Sequence, residues 1–118
     1  MLSAFIGVHQ RPLIWAADEQ ATAAAVAATV KTFGGLDILL ANAGTEGSFK
    51  PMDALTFAEF EQVLRTNVAG VWLAMKYCVE PMQQRGGGSM IAMASMAGLR
   101  GFANCTPYVA ANTQSVAW

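Results

Sequence analysis

The chain has 118 residues, of which 54% are apolar and 13% charged, with a formal net charge of −1. That is enough for one small domain with a buried core, and the apolar excess suits an α/β protein whose strands are buried on both faces. With no basic stripe to neutralise phosphates, nucleic acid is excluded as a partner, and no uninterrupted apolar stretch is long enough to span a membrane.

Residues 1–17 hold a short strand at best, over Ala4–Val8 or Leu13–Ala17, and Pro12 argues against one continuous central strand. The segment has neither a basic start nor a clean small-residue cleavage site, so a cytoplasmic protein is expected. Asp18 is a good N-cap for a helix through Ala21 to Val30, with Ala23, Val26, Ala27 and Val30 on one face. Phe33-Gly34-Gly35 ends that helix. Leu36 to Leu40 is an apolar run of the kind that forms a buried parallel strand, and Asn42-Ala43-Gly44 turns the chain out of it. Gly44 to Met52 reads as loop. Thr56 with Glu59 three residues later makes a capping box for a helix running to about Gln84, where Gly86-Gly87-Gly88 stops it. Met90 to Ala94 is a second strand. A loop of small residues follows from Ser95 to Thr106, and Pro107 opens a helix over Tyr108 to Val116. Helix, strand, long helix, strand, helix is the order of a parallel sheet with right-handed crossovers.

Four features bear on chemistry. Asn42-Ala43-Gly44 lies at the carboxyl end of a strand, where open α/β sheets bind ligands, although alone it is an ordinary Asn-x-Gly turn. Asn67, followed by Gly70, sits inside a helical pattern that disfavours both, which suggests a local kink or a bound water as readily as a tolerated polar residue. Ser95 follows the second strand but has no histidine to activate it, and alone it is a loop serine. Tyr108 opens the last helix. A phenol exchanges protons at neutral pH only when a cation stabilises its phenolate, so alone it reads as a core or interface tyrosine. His9 has no Cys or His neighbour, which argues against zinc, and Cys78 reads as a small core or interface residue.

Taken together, these features resemble the short-chain dehydrogenase/reductase family. The markers are Phe33 to Leu39 leading into Asn42-Ala43-Gly44, then Asn67-Val68-Ala69-Gly70, then Gly88 to Ile91 leading to Ser95-Met96-Ala97-Gly98, and Tyr108-Val109-Ala110-Ala111. Each is weak, whereas their order and spacing are specific. The resemblance covers residues 18–111 and implies a partial Rossmann-type doubly wound parallel sheet, three-layer α/β/α, in a single partial domain over 1–118. It implies NAD or NADP as cofactor and hydride exchange with an alcohol or ketone carbon. By that resemblance Tyr108 is the general acid/base, Ser95 orients the substrate oxygen, and Asn67 distorts its helix and helps hold a water of the proton relay. Asn42, Ala43, Gly44 and Tyr108 would then lie against the cofactor.

The match has gaps. The family places a lysine four residues after the tyrosine, one helical turn away, and this chain has Asn112 there. An amide is neutral and too short to replace the lysine, so Tyr108 is expected to be a poor base, with Asn112 marking the missing charge. The family's glycine-rich turn, which cradles the pyrophosphate, is missing from residues 1–35, and Trp15 falls where an acidic residue usually precedes the adenine-side helix. Both gaps count against cofactor binding by this chain. With the last strands and the substrate-covering loop also gone, the sequence reads as a truncated internal fragment. The tail 112–118 is atypical, and restoring one A before its codons gives a shifted frame whose degenerate reading resembles the family's continuation from lysine. The expectation is therefore an oxidoreductase-family chain that is inactive alone. The alternatives are a non-catalytic interaction module or a gene remnant. A homo-oligomer would form through the long helix and the tyrosine helix. Met75, Cys78, Val79 and Met82 could supply its face, although at least half of that stripe should pack on the chain's own sheet. A sheet lacking its first strands should also be sticky.

Overall fold

The computed structural model describes residues 17–115. The expectations for residues 1–16, including both candidate N-terminal strands, His9 and Trp15, lie outside the described residues, as does the end of the last helix at Val116. Helix α1 spans Glu19–Phe33, strand β1 Ile38–Ala41 and helix α2 Phe57–Leu64, followed by helix α3 at Gly70–Gln84, strand β2 at Ser89–Ala92 and helix α4 at Thr106–Ser115.

Helix boundaries follow local chemistry. The Asp18 carboxylate accepts the Ala21 N–H at 2.8 Å at the start of α1. Gly34, at φ 78°, closes it in a left-handed cap that only glycine adopts without strain. The face of α1 differs from expectation at one position: Val26 is buried, while Ala27 is exposed. A methyl adds so little apolar area that Ala27 does not bias which way the helix turns. At α2 the Thr56–Glu59 capping box is complete. A 3-10 turn over Met52–Ala54 precedes it, starting at the last residue of the stretch that reads as loop in the sequence.

β1 and β2 pair in parallel, with Ile38 opposite Ser89 and Ala41 opposite Ala92. Both strands are shifted slightly from the apolar runs in the sequence, because Leu36 and Asp37 precede the first ladder pair and Met93 follows the last. Val26 of α1, Leu36, Leu39 of β1, and Cys78 and Met82 of α3 form the core, with Val30, Ala74, Met75, Tyr77 and Met90 packed around them. Three of the four residues of the α3 stripe therefore face the chain's own sheet, and Val79, 44% exposed, does not. The core burial of Cys78 pushes its thiol up to about 11. Residues alternate across a strand, so Leu40 and Ile91 share the opposite face. There Ile91 is 46% exposed, and Met93, one step on, is 50% exposed.

Two polar ties fasten the helices. Glu19 of α1 accepts from Lys76 Nζ at 2.8 Å and from Tyr77 Oη at 2.7 Å, both on α3. The hydrogen bond from Lys76 is the main cause that holds the Glu19 carboxyl below its ordinary value. Arg85 grips Asp37 with two hydrogen bonds of 3.1 Å, joining the end of α3 to the entry of β1.

Candidate active site

Because the strands are parallel and in register, the chain leaves both at the same edge, through Asn42–Thr45 after β1 and Met93–Ser95 after β2. Met93 N–H closes the ladder on the Ala41 carbonyl at 2.9 Å. Helix α4 packs on the turn after Ser95, on α2, and on the segment between α2 and α3. This edge therefore gathers the candidate site residues Asn42, Ala43, Gly44, Asn67, Ser95, Tyr108 and Asn112.

Asn67 lies in a π-helical segment, Arg65–Ala69, that joins α2 to α3. The distortion suggested by the sequence is present, and the widened turn carries a buried side chain. Asn67 Oδ1 accepts the Thr45 N–H at 2.8 Å, and its Nδ2 donates to the Thr45 carbonyl at 2.8 Å. The amide thus binds the backbone of the β1 exit loop as a strand neighbour would. Gly44 sits directly against it: a Cβ there would lie 3.5 Å from Asn67 Oδ1. Asn42 and Gly44 are exposed and Ala43 is half-buried, so their edge is open to a ligand.

Ser95 caps the short 3-10 turn Met96–Gly98, its Oγ accepting the Ala97 N–H at 3.2 Å. The hydroxyl keeps its own proton and a second lone pair for a substrate oxygen. Tyr108 is half-buried in the first turn of α4, one turn before Asn112. Asn112 is 6% exposed. Its Oδ1 accepts the Ser95 N–H and its Nδ2 donates to the Tyr108 carbonyl, each at 2.9 Å. What stands one turn from the phenol is therefore an amide already committed to two backbone partners.

Two elements of this edge are not singled out in the sequence. Thr45 supplies both backbone partners of Asn67, although a threonine after a glycine turn carries no signal. Glu59 does more than cap α2. It accepts from Ser48 Oγ at 2.8 Å, from Lys50 Nζ at 2.6 Å and from the Thr56 N–H at 2.9 Å. These bonds, Lys50 first among them, hold its carboxyl down to about 2. Lys50 N–H in turn donates to the Asn104 carbonyl at 2.9 Å, which ties the β1 exit loop to the loop before α4.

The Asn42–Gly44 edge is open and leaves the sheet at the same end as the loop that carries Ser95. The described residues do not fit the pyrophosphate. The N–H groups at the start of α1 face the Asp18 carboxylate, with Glu19 in the same turn, and those of α2 face Thr56 and Glu59. These are carboxylate-lined helix starts that repel a phosphate.

The family model described as short chain dehydrogenase matches residues 14–114. Levodione reductase of Leifsonia aquatica is 38% identical over 94 residues, which cover 80% of this chain and 35% of that protein. A structure of NAD+-bound xylitol dehydrogenase matches with a TM-score of 0.83 at 31% identity, covering 87% of this chain and 40% of the other. One of ElxO with NADP bound matches at 0.81 and 28%, covering 86% and 41%. The chain thus spans between a third and two-fifths of the length of these relatives.

Proposed function

The chain belongs to the short-chain dehydrogenase/reductase family, and from that premise we propose that it presents part of that family's site for alcohol–ketone chemistry but is inactive alone. Its family binds NAD or NADP, and its neighbours include structures with each. When bound, the nicotinamide supplies or takes the hydride. By family, the remaining roles fall to Ser95 Oγ, which would orient the substrate oxygen, to the Tyr108 phenol, which would exchange a proton with it given a cation beside it, and to the Asn42–Gly44 edge, which would lie along the cofactor. Asn67 fixes that edge by holding Thr45 and, by family, would help hold a water of the proton relay. The substrate by family is a small-molecule alcohol or ketone.

One observation carries the inactive reading. Asn112 offers no positive charge to the Tyr108 phenolate, and both ends of its amide are occupied. The second support is the lack of a phosphate cradle among the described residues. Calorimetric titration of the pure chain with NAD+, NADH, NADP+ and NADPH, followed by turnover assays on cyclic and linear secondary alcohols, tests it. The expected result is no turnover and no dinucleotide binding below the millimolar range. Steady reduction of NAD+ or NADP+ by the chain alone would overturn it.

A second reading, an interaction module, is favoured by the outward face of α3, where Trp72 is 47% and Val79 44% exposed. In it the chain pairs with a second copy through α3 and α4, in the cytoplasm. No helix of the described residues is long and apolar enough to cross a membrane. Size-exclusion chromatography with a full-length paralogue distinguishes the two readings.

A further inference from the structure

We propose that Asn112 is a positioning residue, a two-ended amide bridge that holds the Ser95 loop in register with the Tyr108 helix, and that this role is incompatible with a lysine at the same position. The backbone explains why a bridge is needed. The β ladder ends where Met93 N–H meets the Ala41 carbonyl, so the Ser95 N–H lies beyond any strand partner. The Asn112 Oδ1 takes that N–H across 17 positions of sequence, while Nδ2 returns to the carbonyl of Tyr108 on its own helix. A side-chain amide carries an acceptor and a donor on one plane, which is what these two partners require. With Asn112 only 6% exposed, water cannot readily take its place. Losing the acceptor leaves a backbone donor unpaired, which costs more than the bond contributed.

Other side chains fail in distinct ways. Lysine donates only, so it abandons the Ser95 N–H. Leucine abandons both partners. An ionised aspartate still accepts from Ser95 but opposes the Tyr108 carbonyl with a second negative oxygen, whereas a protonated one reproduces both bonds. The charged groups on elements packed against α4 are Glu59 and Glu61 of α2, Arg65 of the π segment and Arg100 beside the turn. They act on the charge that lysine or aspartate introduces, whereas leucine is neutral like asparagine and is free of them.

The test is amide exchange at Ser95 in the purified full chain, expressed as a protection factor between pH 5 and pH 7.5. In wild type the Ser95 amide should be protected to the same degree throughout. Asn112→Leu and Asn112→Lys should lose at least tenfold of that protection, with the amides of α1 and α3 unchanged. Asn112→Asp, whose carboxylate still accepts the Ser95 N–H, should keep most of that protection across the range. General loosening of the fold would instead speed exchange in α1 and α3 and would not spare the aspartate variant. Unaltered Ser95 protection in the leucine variant, or an aspartate variant as unprotected as the leucine one, would overturn the proposal. Should the leucine and lysine variants fail to fold, the aspartate variant decides alone: loss of Ser95 protection in it, with α1 and α3 unchanged, would overturn the proposal. The measurement needs neither cofactor nor turnover, so it stands whatever becomes of the proposed activity.

Discussion

Two asparagines do the same work at this edge, each fastening the exit loop of one strand to a helix. Asn67 holds the loop after β1 and Asn112 the loop after β2. Asn67→Ala removes two hydrogen bonds and strands both polar groups of Thr45, so it should destabilise the chain by about 1–3 kcal/mol. A denaturant melt measures this, and the Thr45 amide should exchange faster than the rest of the loop. A melt indistinguishable from wild type would mean that water replaces the amide without cost. Both asparagines stand out in the sequence because each breaks a local preference, the first within a helix and the second where a lysine belongs. Their partners do not stand out. The contact from Asn67 to Thr45 spans 22 positions, and nothing in a threonine announces that its backbone will lack a strand neighbour.

Among the elements, the capped ends are legible because capping is local: Asp18, Gly34 and the Thr56–Glu59 pair act within one helical turn. The π segment is legible only as discomfort, since Asn67 and Gly70 disfavour a helix without saying how the helix yields. Glu59 shows the limit of local reading. Its capping role is visible at three-residue spacing, but the clamp on Ser48 and Lys50 requires the loop to fold back over the helix start. That clamp sets a pH dependence. The Glu59 carboxyl is depressed from 4.5 to about 2 in the fold, so its contribution is present above about pH 4.5 and is lost as pH falls towards 2. The melting temperature of wild type should therefore fall across that window more steeply than that of Glu59→Gln, and at neutral pH the variant should melt lower. Parallel acid titration curves for the two would show that the ion pair is screened away.

For the whole molecule, the parallel order and the gathering of the site at one strand edge are legible from element order alone, because a helical crossover brings both exits to one end. Which sheet face is covered is not. Leu39 and Leu40 are the same residue type, and only parity places one in the core and turns the other outward. The apolar face around Leu40, Ile91 and Met93 should drive concentration-dependent self-association, visible by light scattering, and Ile91→Lys should suppress it without lowering the melting temperature. A wild type that stays monomeric at high concentration would show that this face is covered. The two cysteines divide the molecule differently. Cys78 is sealed between α1, α3 and the sheet, whereas Cys105 is buried at the foot of α4, its Sγ donating to the Phe102 carbonyl at 3.4 Å. One native thiol thus stands guard in the helix–sheet body and the other beneath the serine–tyrosine edge. The chain carries its own pair of chemical clocks for asking whether that edge opens together with the body or ahead of it.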